Sequence, residues 1–144
     1  MKATCRCIVF LLIGISVKVF SQEIPADNID PSVVLTDYQL SDKQYSSWKV
    51  ILNNWLVSDY EKIQSENNIK LNCKNCESFY MEVIIKINAK GKMEYYKSVN
   101  GKKCGIQVTK QLEIRLMRVF FKFDFPPELR NTTFKTRLGN VLKC

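Results

Sequence analysis

Cysteine is the residue type in this chain whose spacing is best suited to chemistry. Cys73 and Cys76 form a Cys-x-x-Cys motif, and Cys104 and Cys144 follow it. Such a motif can act as a redox site, supply half of a zinc site, or contribute to two structural disulfides. A redox motif follows a strand and opens a helix, which lowers the thiol pKa, whereas this one precedes a predicted strand. The sequence therefore predicts structural disulfides, with a zinc site and free or intermolecular thiols as alternatives.

Histidine is absent from the chain, and this limits the catalytic sites that it can build. Nucleophile pairs that rely on histidine, imidazole metal ligands and the usual near-neutral general base are all excluded. The 14 acidic residues match no recognised catalytic motif, and no Gly-rich phosphate loop is present. The prediction is a protein that is not an enzyme and has no cofactor or metal.

Residues 1–21 have the pattern of an export signal. Lys2 and Arg6 precede an apolar run, Ile8–Val17, and small residues precede a predicted cut before Gln22. A membrane-spanning helix needs about 20 apolar residues, and Lys18 ends this run too early. The prediction is a protein that is exported to the periplasm or secreted, with no membrane span after cleavage. An uncleaved anchor is the alternative.

Charge is distributed unevenly along the chain. Residues 22–72 contain 4 basic and 8 acidic residues, whereas residues 73–144 contain 15 basic and 6 acidic residues, a net charge of +9. A basic half of this kind either forms a solvated surface or meets an acidic partner, such as an anionic envelope polymer or protein. Export argues against nucleic acid as the partner.

Residues 22–72 are predicted to contain an extended lead-in followed by one amphipathic helix. The lead-in is expected to contact the rest of the domain through residues 33–35. Ser41 and Gln44 match a capping box at the start of the helix, which is expected to end near Glu66. The two tryptophans on one stripe indicate a core helix, with a ligand platform as the alternative. The apolar stripe comprises Trp48, Ile51, Leu52, Trp55, Leu56, Tyr60 and Ile63.

Residues 73–144 are predicted to fold as ββαβ. Alternating apolar residues indicate the strands, a 3.6-residue period indicates the helix, and the paired prolines Pro126 and Pro127 end it. Its buried stripe is predicted to run from Val108 to Phe123. Gly139 is expected to mark a bulge in the last strand. The predicted elements are the strands Phe79–Asn88, Met93–Val99 and Thr132–Leu142 and the helix Gln107–Phe123.

This element order predicts an α+β fold with a three-stranded antiparallel sheet on one helix. A right-handed crossover from the second strand through the helix to the third requires the strand order 2-1-3. The start of the first strand and the ends of the other two then share one end of the sheet, so all four cysteines should meet there. Of the three pairings, we favour those in which Cys73 and Cys76 each bond to one of Cys104 and Cys144.

Three stretches, Val83–Met93, Phe123–Pro127 and Thr133–Gly139, resemble the C-terminal domain of TonB-type energy transducers. The resemblance covers about residues 79–144. It implies a small antiparallel sheet packed on a helix, whose last strand binds a short peptide from an outer-membrane transporter by strand addition. The partner-binding edge that it implies consists of Phe134, Lys135, Thr136, Arg137 and Leu138.

The chain also departs from that family in three features. The family keeps an uncleaved membrane helix, whereas the signal here is predicted to be cleaved. The chain contains only four prolines, too few for the family's Pro-rich spacer, and it has no Tyr-Pro motif before the first strand. The resemblance therefore implies a free-standing, exported module that binds an envelope protein or peptide. Alternatives are a thiol-active protein that uses Cys73 and Cys76, and a structural envelope protein whose basic face lies on an anionic polymer. Lys135 and Arg137 can equally serve to protect the edge strand from aggregation.

Overall fold

The computed structural model of the chain describes residue 30 and residues 34–144. The predicted signal peptide (residues 1–21), the cleavage site before Gln22 and the first residue of the predicted contact at residues 33–35 lie outside the described residues. Within the described part, no helix has the length and apolar character needed to cross a membrane.

The N-terminal helical region follows the prediction closely. The Ser41 hydroxyl accepts a hydrogen bond from the Gln44 backbone N–H, and the Gln44 side chain accepts one in return from the Ser41 N–H. The predicted capping box is therefore confirmed, and the helical region ends at Glu66. Its elements are a 3₁₀ turn (Asp37–Gln39), α1 (Asp42–Trp55), a π-helical turn (Leu56–Tyr60) and α2 (Glu61–Glu66).

The sheet contains the strands β1 (Ser78–Ile87), β2 (Met93–Lys103), β3 (Ile106–Gln107) and β4 (Thr133–Val141). It is antiparallel and has the order β3-β2-β1-β4. The α+β class is confirmed, and the three long strands have the predicted order. The prediction of only three strands is corrected, because a two-residue strand pairs with the outer side of β2. Cys104 and Gly105, both with positive φ, form the tight turn that folds it back.

β2 is longer than predicted, because a bulge carries it past Val99. Glu82 of β1 pairs with Asn100, and the next residue of β1 pairs with Ser98, which leaves Val99 without an opposing residue. A bulge of this kind shifts the register by one residue while the pairing continues. Asn100 and Gly101 thus lie inside β2.

α3 (Lys110–Met117) is shorter than the predicted helix. It starts late because the hydroxyl of Thr109 accepts a hydrogen bond from the Leu112 N–H and caps the first turn. Beyond α3 the chain tightens into a 3₁₀ turn, Phe120–Lys122, and Pro127–Leu129 forms another. The predicted single helix to Phe123 is therefore wrong in both bounds.

The helices pack on one face of the sheet and build an aromatic core there. Trp48 is fully buried, with its ring centroid 5.1 Å from Phe134 and 5.9 Å from Phe120. Trp55 is also buried and lies 5.6 Å from Phe120. These contacts confirm the core-helix interpretation over a ligand platform.

The predicted stripe of α3 is buried except at its end. Phe123 is 38% exposed, because it follows the 3₁₀ turn with an extended backbone and so no longer continues the helical stripe. The buried members of the stripe are Leu112, Leu116 and Phe120, and the partly buried ones are Val108 and Val119.

Candidate functional site: the β4 edge and the disulfide end

The four cysteines meet at one end of the sheet, as strand order predicts. Cys73 is bonded to Cys144 with a Cα–Cα distance of 5.5 Å, and Cys76 to Cys104 with a distance of 4.1 Å. Each cysteine of the Cys-x-x-Cys motif thus bonds to one distant cysteine, which is the pattern favoured from the sequence. The two bonds tie the segment before β1 to the end of β2 and to the chain terminus beyond β4.

These bonds bear on the other interpretations of the cysteines. A Cys-x-x-Cys redox site cycles through a bond between its own two thiols. Here Cys73 and Cys76 are bonded elsewhere, and Cys76 is buried. All four sulfurs are oxidised, so none is a thiolate ligand for zinc. Among the described residues, no group of three or more histidine, cysteine or acidic side chains is placed to hold a metal ion.

The predicted partner-binding residues lie on an edge strand. β4 pairs with β1 on one side only, in a continuous antiparallel register from Ser78–Val141 to Lys86–Thr133. Side chains alternate along it, so that Lys135 and Arg137 lie on the face opposite the helices. The side chains of Phe134, Thr136 and Leu138 are buried on the helical side.

The hydrogen-bonding direction of each β4 residue follows from two contacts. The N–H of Leu142 donates to Glu77 O at 2.8 Å, towards β1, whereas that of Lys135 donates to Leu35 O at 2.8 Å, away from β1. Because backbone groups alternate along an antiparallel strand, odd-numbered residues present theirs to the outer edge. The Thr136 N–H therefore faces β1, and the outer donors beyond Lys135 belong to Arg137, Gly139 and Val141.

The first half of the β4 edge is occupied by the chain's own N-terminal segment. Thr36 forms a parallel bridge with Lys135, next to the bond between the Lys135 N–H and Leu35 O. The prediction that the lead-in contacts the domain near residues 33–35 is thus met by the backbone of Leu35, whose side chain is half exposed. In the part of the chain that the structure describes, the outer edge is uncovered from Arg137 onward.

A buried relay of polar groups anchors this segment. The hydroxyl of Thr136 donates to the carboxylate of Asp37 at 2.8 Å and accepts from the indole N–H of Trp48 at 3.0 Å. The same carboxylate also accepts from the Tyr38 backbone N–H at 3.1 Å. Asp37 and Thr136 are both buried, so each of these hydrogen bonds offsets the loss of water around a polar group.

We expect Thr136→Val to lower the free energy of unfolding by about 3 kcal/mol. The substitution keeps the side-chain shape but leaves the Trp48 N–H and an Asp37 oxygen without a partner, at about 1–3 kcal/mol for each buried group. Urea denaturation followed by tryptophan fluorescence measures the change.

Thr132→Val is the matched control for that substitution. The Thr132 hydroxyl donates to Arg130 O and accepts from Gln44, but it is only partly buried. A surface hydroxyl of this kind contributes roughly 0.5 kcal/mol or less. Equal losses in the two variants would show that the relay does not anchor the segment.

Arg137 is tied to the exposed face of the sheet. Its guanidinium donates to Glu82 at 2.7 Å and lies 5.0 Å from the centre of the Tyr80 ring. The hydrogen bond to Glu82 raises the pKa of Arg137 further above its usual value. The pair is solvent-exposed and contributes little to stability, but it keeps the side chain away from the outer edge.

Tyr60 links two strands of the sheet near the disulfide end. Its hydroxyl donates to Phe79 O at 2.6 Å and accepts from the Asn140 N–H at 3.1 Å, so it joins β1 to β4. Burial raises the pKa of Tyr60 to about 12, and the Asn140 N–H opposes this shift. The predicted bulge at Gly139 is wrong, because Gly139 stays in register with Tyr80.

A contact of the lead-in with the domain was predicted, but not that Leu35 and Thr36 would occupy the outer edge of β4. Thr36 and Gln39 match the capping-box pattern already recognised at Ser41, and their side chains are hydrogen-bonded at 3.1 Å. That pattern was the available signal for an ordered turn before α1. Asp37, which follows Thr36, gave no signal of its own, because its partner lies 99 residues away.

Compared with protein-family models, with curated proteins and with solved structures, the chain shows no match.

Proposed function

We propose that this protein is an exported, non-enzymatic module that binds an extended peptide of an envelope protein by strand addition. The peptide pairs with the outer edge of β4 from Arg137 to Val141. An edge strand with uncovered donors and acceptors is a template for such pairing. The observation that carries the proposal is the set of outer backbone groups at Arg137, Gly139 and Val141, which have no partner among the described residues.

The proposed site is shorter than the edge inferred from the resemblance and lies nearer the chain terminus. At Lys135 the backbone donor is already used by Leu35, so a partner there must displace the chain's own segment. Beyond it, the disulfide between Cys73 and Cys144 fixes the end of β4. A rigid edge binds with a smaller loss of conformational entropy than a mobile one.

The same observations support an exported and non-enzymatic protein. Two disulfides suit an oxidising compartment, where they form and persist. Neither cysteine of the Cys-x-x-Cys motif is held as a free thiol, and histidine is absent. A transporter is one kind of envelope protein that presents such a peptide; the family resemblance favours it.

Arg137→Pro tests strand addition. Proline removes the outer N–H and is tolerated in an edge strand whose N–H faces solvent. The probe is a peptide selected on the disulfide-bonded protein from a random library displayed on phage. We expect Arg137→Pro to lower the affinity for this peptide at least roughly tenfold, because a hydrogen bond is lost and the proline ring hinders the approach of the peptide.

Arg137→Ala is the matched control, because it removes the ion pair with Glu82 but keeps the backbone donor. It should bind the peptide with nearly unchanged affinity. In a hydrogen-exchange experiment, the bound peptide should slow the exchange of the amides of Arg137, Gly139 and Val141. The exchange of the β2 amides should stay unchanged. Selection of no peptide, or equal binding by the folded Arg137→Pro variant, would refute strand addition at this edge.

A further inference from the structure

A groove on the helical side of the molecule is surrounded by positive charge. It has a volume of about 280 Å³ and lies between α2 and the segment that begins in α3 and ends in the following 3₁₀ turn. Ile63 and Val119 supply its apolar lining. We call this feature the basic groove; its cationic lining residues are Lys62, Arg115, Arg118 and Lys122.

Three of these cations come from one stretch of the chain. Arg115 lies in α3, Arg118 directly follows it, and Lys122 ends the next 3₁₀ turn. Lys62 approaches from α2 on the other side. The cluster is therefore formed by two elements that are distant in sequence.

The basic groove has few counter-charges. Arg115 forms an ion pair with Glu66, but Lys62, Arg118 and Lys122 form none with the acidic residues that the structure describes. Asp59 is the acidic residue of the lining, and its carboxylate accepts a hydrogen bond from the Ser58 hydroxyl at 2.8 Å. The lining as a whole keeps a net positive charge.

This arrangement has an electrostatic cost that a ligand can remove. Like charges that line the same groove repel, and the repulsion persists in water at short range. The negative end of the α3 dipole favours Arg118, which directly follows its last residue. It does not account for Lys62, which α2 brings to the same groove. A multiply charged anion in the groove would neutralise both sides at once.

We propose that the basic groove binds a small polyanion that carries phosphate or sulfate groups. The guanidinium of Arg118, which has no acidic partner among the described residues, favours a tetrahedral oxyanion, because its planar array of donors makes paired hydrogen bonds to two oxygens. The volume of about 280 Å³ lies just below that of typical ligand pockets, which suits one headgroup rather than a folded partner. Ile63 and Val119 then lie against the uncharged part of the ligand.

Isothermal titration with inorganic pyrophosphate tests the site directly. The Lys62→Gln/Arg118→Gln variant should bind pyrophosphate roughly tenfold more weakly than the unaltered protein, from the loss of two exposed charge contacts. Arg118→Lys keeps the charge and should retain most of the affinity. All of these side chains are exposed, so the fold should remain intact, and circular dichroism checks this.

Lys74→Gln/Lys90→Gln is the charge-matched control. Both lysines are exposed and lie in turns outside the groove, and they donate to Asn72 and Asn88 through the backbone N–H, not the side chain. This variant has the same net charge as the groove variant and should bind pyrophosphate within about twofold of the unaltered protein, because distant charges are screened by salt. If the two double variants are weakened equally, or if the unaltered protein binds neither pyrophosphate nor vesicles, the proposal is wrong.

The anion can be a lipid headgroup or a free ligand, and vesicles distinguish these two sources. If the protein binds phosphatidylglycerol vesicles and Lys62→Gln/Arg118→Gln loses this binding, the anion is a lipid headgroup. If the protein binds pyrophosphate but no vesicles, the anion is a free ligand. Phosphatidylcholine vesicles serve as the neutral reference. The Arg137→Pro variant should bind these anions normally, so failure of strand addition and failure of the basic groove give different results.

Discussion

Replacing all four described cysteines by alanine is expected to lower the free energy of unfolding by roughly 5–8 kcal/mol. Cross-linking across separations of 71 and 28 residues removes about 4.4 and 3.6 kcal/mol of loop entropy from the unfolded chain. The smaller loop lies within the larger one, so the two effects add incompletely. Because domains of this size are stable by about 5–15 kcal/mol, this loss leaves the protein at or near unfolding.

Urea denaturation, followed by circular dichroism with and without reductant, measures this effect. The single-pair variants Cys73→Ala/Cys144→Ala and Cys76→Ala/Cys104→Ala are the controls. The first opens the larger loop, whereas the second also removes the buried Cys76 sulfur from the core. Should the reduced protein unfold at the same urea concentration as the oxidised one, the disulfides do not stabilise the fold.

The meeting of the cysteines was predictable because it depends on topology alone. A right-handed crossover placed β1 between β2 and β4, and this brought three separated segments to one end. The pairing needed more than topology. Cys104 reaches Cys76 from a tight turn in which its own φ is +50°, and a two-residue β3 has no periodicity from which to predict that turn.

The location of the edge was predictable, but its accessibility was not. Alternation of apolar residues in β4 shows which side chains face the helices, and Phe134 and Leu138 follow it. Which backbone groups face outward depends on the register, and a shift by one residue reverses the answer. The occlusion at Lys135 depends on a contact with Leu35 that no local pattern encodes.

Gly139→Ala is expected to lower the free energy of unfolding by about 3–5 kcal/mol. Gly139 has φ of +105°, which costs other residues about 1–3 kcal/mol. An added Cβ would also lie 2.4 Å from Phe79 O and 3.0 Å from the Tyr60 ring, and relieving such crowding costs about 1–3 kcal/mol. The backbone must move just where the Tyr60 hydroxyl joins β1 to β4.

Gly105→Ala separates the two causes of that loss. Gly105 also has positive φ, +81°, but an added Cβ there meets no atom within 4 Å. We therefore expect Gly105→Ala to show only the backbone penalty, about 1–2 kcal/mol in the same urea titration. If Gly139→Ala costs no more than Gly105→Ala, Tyr60 and Phe79 do not approach β4 as closely as the structure places them. A larger loss at Gly139 means that close packing, and not backbone conformation alone, excludes every side chain from this position beside the proposed binding edge.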